Sequence, residues 1–294
     1  MDFANGAELL ALCESRGWAI SAVMHEREIT EGGMTAEQAE KKMRRALSIM
    51  RQSAMKAAEE PRKSMGGLIG GESALLRKHS SKGGCVSGTV ASRAAAYALS
   101  VLEINASMGL IVAAPTAGSA GVVPGVLLSL QDEYDFSGSQ MIDALWCAGA
   151  VGYLAMRNAN VAGAVCGCQA EVGVAAAMAA AAACELLGGT AEQCLDAGSI
   201  VLMNMLGLVC DPVGGLVEYP CQIRNTSGVA NALMAVDLVM SGIKPIIPFD
   251  EMLAAMYSVG RKIPVELRET ALGGCATTPT ARNLCCGCSG CTGG

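Results

Sequence analysis

The stretch from Glu171 to Leu187 is almost entirely alanine, and it limits what this chain can become. Alanine gives up no side-chain rotamer freedom in a helix, so such a run favours helix over strand. It also carries no bulk, so neighbouring elements must approach closely to bury it. Gly188 and Gly189 end the run as a glycine stop, and Thr190 caps a further helix to about Leu206. No run alternates apolar and polar residues with period two, which excludes a substantial sheet. The fold class expected is all-α: compact, rich in Ala and Gly, with Gly/Pro loops converging on a buried site.

The rest of the chain supports that class. A short helix is expected over Ala7–Ser15, stopping at Gly17, and a loop at Thr30–Gly33. Thr35 with Gln38 forms a capping box that opens a charged helix to about Glu60, halted by Pro61. Its apolar stripe (Ala39, Met43, Ala46, Leu47, Met50) is that of a surface helix packed on one side. Further helices are expected over Ser87–Ser107, Asp143–Met156, Ser227–Met240 and Asp250–Val259, with a Gly-rich loop over Lys63–Gly71. At 52% hydrophobic residues the 294-residue chain can bury a sizeable core, but with only 3% aromatics that core has few large anchors. The formal charge of −6 and the lack of a basic stripe argue against a nucleic-acid partner.

The span Ile104–Gln131 carries no charge, yet Pro115, Pro124 and several glycines interrupt it, so it reads as buried loop and helix ends and not as a membrane helix. The N-terminus is acidic and amphipathic, with no basic segment of the kind that opens a secretory signal. Fourteen cysteines in such a chain indicate a reducing, cytoplasmic setting and point to metal or redox work before a disulfide framework.

Three cysteines stand apart from the others. Cys168 lies in GCQAEVG, Cys210 in CDPVGG and Cys221 in PCQIRN, each beside Gly, Pro or both. Their intervals match neither a zinc knuckle nor a ferredoxin run. They read as three thiolates brought together by the fold from the ends of different helices. Cys166, two residues before Cys168, would point the opposite way in an extended turn. Cys13, Cys85, Cys147, Cys184 and Cys194 read as small buried apolar residues.

Two loops carry groups that suit a small anion. His79-Ser80-Ser81-Lys82-Gly83-Gly84 offers hydroxyls, a cation and free N–H groups, and is equally an ordinary surface turn. Pro115-Thr116-Ala117-Gly118-Ser119-Ala120-Gly121 enters a helix near Val122, where N–H groups and small residues suit a carboxylate. Ser119 is alternatively a plain helix cap.

The three cysteine blocks, with NASMGLIVAAPTAGSAGVVPGVL at Asn105–Leu127, resemble the alpha chain, or catalytic domain, of the iron–sulfur-dependent L-serine dehydratases. Four blocks in the same order are a more specific signal than any one, and the resemblance extends roughly from the first long helix to Pro279. It implies a helical catalytic domain over 1–280 whose loops converge on a buried cluster site. It implies that Cys168, Cys210 and Cys221 hold a [4Fe–4S] cluster with one iron free to polarise the hydroxyl of L-serine. Loss of water and then of ammonia would leave pyruvate. Ser81, Lys82 and Ser119 are the candidates for proton transfer. Ser80, Thr116, Ala117, Gly118 and Gly121 are the candidates for substrate binding. Glu171 and Arg224 are expected either to face the cluster or to serve as an internal ion pair or cap. Asp211 is expected either to cap a helix or to bond near a sulfur.

The resemblance also implies a separate beta subunit, because no block of this sequence resembles that region. Residues 281–294 form a Cys/Gly-rich segment, expected to be flexible, whose role is open between protecting the cluster, delivering iron and none. A desulfidase acting on L-cysteine is the nearest alternative activity, and a non-catalytic iron–sulfur or metal-binding protein is the alternative from another class.

Overall fold

The structure, a computed structural model, describes residues 1–285. Most of the 281–294 segment therefore lies outside the described residues. Thirteen α-helices are described, and no strand. In chain order they are α1 (Gly6–Arg16), α2 (Ile20–Thr30), α3 (Ala36–Glu59), α4 (Glu72–Ser80), α5 (Gly88–Ala106), α6 (Val122–Tyr134), α7 (Gly138–Asn158), α8 (Gly163–Cys166), α9 (Val174–Leu186), α10 (Ala191–Asn204), α11 (Cys221–Met240), α12 (Phe249–Gly260) and α13 (Pro279–Cys285). The all-α class read from the alanine run is the one observed.

Helix α9 is the axis of the assembly. Every residue from Val174 to Cys184 is buried, and α7, α10, α11 and α6 pack around it. The segment Gln169–Leu186 is long and apolar enough to cross a bilayer, but 83% of it is buried by these neighbours, as a core helix should be. Close packing depends on missing side chains. A Cβ on Gly125 of α6 would stand 2.7 Å from the backbone oxygen of Ala94 in α5, and one on Gly198 would stand 3.0 Å from the Phe249 ring. Gly228 leaves space for Val122 and Val172 in the same way.

The helix starts follow local chemistry. Thr35, Ser137 and Thr190 each cap a helix through a reciprocal box with the glutamine three residues on. Among the helices longer than seven residues, two escaped the sequence reading. The first, α2, starts at Ala19 without a side-chain cap and has a weak apolar stripe. The second, α4, starts at left-handed Gly71, also without a side-chain cap, and it takes His79 and Ser80 out of the expected loop and into a helix. A buried carboxylate replaces the missing cap: Glu103 of α5 accepts the N–H groups of Gly71 (3.0 Å) and Ser73 (2.8 Å). Helix α11 starts earlier than periodicity suggested, so that Cys221 is its first residue.

The packing argument makes a measurable prediction. Gly125→Ala must push α6 off α5 and should lower the unfolding free energy by about 1–3 kcal/mol. Gly149→Ala, where a Cβ meets nothing within 4 Å, should be neutral or should stabilise by up to about 1 kcal/mol. Urea melts of both variants check this, and equal midpoints would count against close helix approach as the organising constraint.

Candidate active site

The segment before α9 does not begin as an α-helix. Gln169–Gly173 forms a single π-helical turn with Cys168 at its N-terminal edge, the kind of local widening often found at functional positions. Gln169 fixes that turn from inside the core. Its backbone N–H donates to Leu208 O (3.0 Å), its side-chain amide donates to Met256 O (2.8 Å), and its side-chain oxygen accepts from Gly207 N (2.8 Å). Gly167 makes the approach possible: its φ is +75°, and a Cβ there would lie 2.8 Å from Leu208 O.

Cys210 sits on an irregular strip after α10. Its N–H donates to Leu267 O (2.9 Å) and its carbonyl accepts from Glu269 N (2.7 Å), which makes Cys210 and Arg268 an isolated bridge. Cys221 starts α11 behind Pro220. The chain between these two cysteines is held at Glu218, a buried carboxylate. It accepts from Ser64 Oγ (2.6 Å), Gly66 N (2.7 Å) and Leu68 N (3.1 Å), and so clamps the Gly-rich loop after α3.

These elements bring Cys168 and Cys210 together beside Glu171, with Cys221 in the same neighbourhood. The thiols of Cys168 and Cys210 and the carboxylate of Glu171 lie within 4.8 Å of one another. Cys221 is near enough for Cys168 and Glu171 to act on its titration. Burial, then those two groups, push its thiol up to about 12, against the pull of Arg224. Cys210 is raised further by its contact with Cys168 and by burial. Glu171 is raised by burial and by Glu269, while the Thr116 hydroxyl and the Gly163 N–H favour its charged form. A Cβ on Gly163 would fall 2.6 Å from Glu171 Oε2 and 3.0 Å from Cys210 Sγ, so glycine there keeps the space beside thiol and carboxylate open. Three soft donors from separate elements around such a space fit an iron–sulfur group.

The Thr116–Gly121 loop abuts this group. Thr116 Oγ1 bonds Ser119 Oγ (3.1 Å), and Ser119 is fully buried in a short 3₁₀ turn, Ala117–Ser119, ahead of α6. Gly118 is close to the same carboxylate: a Cβ there would stand 3.6 Å from Glu171 Oε1. Asn225, one helical turn after Cys221, ties the loop to that cysteine. Its side-chain oxygen accepts from Gly121 N (3.1 Å), and its amide donates to Gly118 O (2.8 Å) and Cys221 O (2.8 Å).

The Ser80–Lys82 segment is placed differently. Ser81 and Lys82 are exposed. Ser81 Oγ donates to Lys78 O, Lys82 N to His79 O, and Ser80 Oγ bonds Cys85 Sγ (3.2 Å). These bonds are local, and among the described residues none of the three hydrogen-bonds to the thiol group. Arg224 and Asp211 pair with each other at 2.6 Å. Arg224 also donates to Val209 O (2.9 Å), and Asp211 accepts from Cys275 N (2.6 Å). Cys166 ends α8 and packs against Gly260 of α12, away from the trio. A cavity of about 450 Å³ lies beside the Cys210–Cys221 segment, bounded by Leu68, Val213, Tyr219, Cys275 and Thr278.

Sequence reasoning missed Gln169, Gly163, Glu218 and Asn225. Only Asn225 left a signal, since a position four residues after Cys221 shares its helix face.

Comparison with known proteins leads to one family. Residues 15–276 match the family model described as serine dehydratase alpha chain. A probable L-serine dehydratase alpha chain of Bacillus subtilis is 46% identical over 284 residues, covering 96% of this chain and 94% of the relative. The L-serine dehydratase alpha chain of Peptoniphilus asaccharolyticus is 41% identical over 277 residues, 94% of this chain and 95% of the relative. An L-serine dehydratase of Streptomyces coelicolor is 36% identical over 285 residues, but this chain spans only 60% of its length. The chain belongs to the serine dehydratase alpha-chain family.

Proposed function

We propose that this chain is the catalytic subunit of an L-serine dehydratase that converts L-serine to pyruvate and ammonia with a [4Fe–4S] cluster held by Cys168, Cys210 and Cys221. The observation that carries the reading is the meeting of remote, buried cysteines beside an acid and an anion-binding loop. The relatives' names supply the substrate, and the cysteine geometry supports the metal. When bound, the cluster would offer one iron without a protein thiolate as a Lewis acid for departure of the substrate hydroxyl.

The protein's own groups then have defined tasks. The accessible N–H groups of Thr116, Ala117 and Gly118 receive the substrate carboxylate at a helix entrance, while buried Ser119 and Gly121, bonded to Thr116 and Asn225, hold the loop from behind. Asn225 holds that loop in register with Cys221. Glu171 is the side chain best placed to accept the α-proton, at a carboxylate oxygen beside Cys168 and Cys210. Burial raises its proton affinity toward the range useful to a base. Ser80, Ser81 and Lys82, bonded within their own turn, take no step in this scheme. Elimination of water leaves an aminoacrylate, which becomes an imine and hydrolyses to pyruvate and ammonia, with no net electron transfer. A beta subunit completes the enzyme, and the setting is cytoplasmic.

A second reading rests on Glu171 itself: Cys168, Cys210 and Glu171 alone are a donor set for one metal ion. Anaerobic reconstitution separates the two. About four irons and four sulfides per chain support the cluster, and one metal without sulfide supports the alternative.

Three outcomes are expected. Cys168→Ser, Cys210→Ser and Cys221→Ser should each lose the brown colour and the activity together, while Cys166→Ala keeps both. Glu171→Gln should retain iron but lose kcat by about 100-fold or more; loss of iron in step with activity would make Glu171 a ligand and not a base. Asn225→Ala leaves the buried Gly121 N–H and Gly118 carbonyl without their partner, and should cost about 1–3 kcal/mol of stability in a urea melt and raise the KM for L-serine. Assays with L-serine and L-cysteine decide between dehydratase and desulfidase: sulfide without pyruvate from serine would overturn the substrate assignment.

A further inference from the structure

A second group of thiols lies in the core away from the candidate active site. Cys147 of α7, Cys194 of α10 and the carboxylate of Glu185 at the end of α9 bring their ligand atoms within 4.8 Å of one another. All the cysteines there are fully buried, including Cys184, whose thiol lies against Cys194. Gly189 keeps room for Cys184, since a Cβ there would fall 2.4 Å from its sulfur.

Glu185 is the informative residue. Among the described residues no Lys or Arg pairs with it. Its carboxylate accepts from the Ser21 N–H at 3.3 Å and also draws on the Ser21 hydroxyl, the Cys147 thiol and the Ile20 N–H. Glu185 is half-buried and closes the otherwise uncapped start of α2, and its carboxylate also stands within ligand distance of two thiols. The carboxylate is also reachable. A cavity of about 200 Å³, lined by Ala19, Ser21, Gln140, Asp143, Glu185 and Leu186, connects Glu185 to exposed residues of α7.

We propose that Cys147, Cys194 and Glu185 form a second metal site for a soft divalent cation, with zinc the best match and the fourth position given to water from the Glu185 cavity. Two sulfurs and one carboxylate oxygen suit tetrahedral zinc, whose bonds of about 2.3 Å to sulfur and 2.0–2.2 Å to oxygen place ligand atoms roughly 3.5–3.8 Å apart. Binding transfers the two thiol protons to solvent. It leaves a complex with one net negative charge, where a set with a third thiolate would carry two. Cys184 therefore stays a protonated neighbour. The cation would join α7, α9 and α10, the helices that form the core.

Element-specific measurement on the full-length holoenzyme tests this without interference from iron. After equilibration with zinc and gel filtration, one zinc per chain is expected, with zinc-edge X-ray absorption showing two sulfur and two oxygen or nitrogen neighbours. Cys147→Ala/Cys194→Ala should lose that zinc while keeping serine-dehydrating activity. Glu185→Gln, which leaves both thiols in place, should weaken zinc binding by about tenfold or more. A zinc shell without sulfur, or a stoichiometry unchanged in the double variant, would overturn the site. If the double variant does not fold, unchanged zinc affinity and an unchanged shell in Glu185→Gln would overturn it equally.

Discussion

Cysteines carried by different elements can meet only if those elements come closer than ordinary side chains allow, and close approach is the constraint on which this molecule depends. Alanine along α9, with glycine at Gly125, Gly198 and Gly228, removes the bulk that would hold helices apart. The same economy continues at the site. Gly167 lets Cys168 pass against the backbone of Leu208, and Gly163 leaves space beside Glu171 and Cys210. Apolar burial drives the assembly, but the absence of side chains determines where its parts can meet.

Buried acids supply the second organising force. Glu103 and Glu218 act as posts for backbone N–H groups that no helix or sheet satisfies. Asp211 is paired with Arg224. Glu171 has no cation partner: burial and then Glu269 raise it, and the Thr116 hydroxyl and Gly163 N–H offset only part of that. The contrast separates carboxylates that build the fold from the one proposed to take a proton.

Much of this was legible in the sequence, for physical reasons. Capping boxes at Thr35 and Thr190, proline at 61 and the glycine pair at 188 and 189 are local signals, and the structure obeys them. Cys168, Cys210 and Cys221 were visible because each carries its own turn residues. Helices α2 and α4 were not visible, since neither has a side-chain cap and α4 borrows Glu103 from a distant helix. Gln169 and Glu218 were hidden for the same reason: their partners are remote in sequence, and a single polar residue in a helical pattern does not say whom it will meet. The meeting of Cys147, Cys194 and Glu185 is likewise a product of three-helix packing, which periodicity cannot register.

The Glu218 post sets a limit on how the molecule can be divided. It stands in the short run between two of the three thiols, yet all three of its hydrogen bonds reach back across the chain to Ser64, Gly66 and Leu68. The segment bearing Cys210 and Cys221 is thus not an autonomous miniature that could be excised or grafted onto another scaffold. Cut away from the first quarter of the polypeptide, it would hold a carboxylate with nothing to bind, and its two sulfurs would lose their common frame.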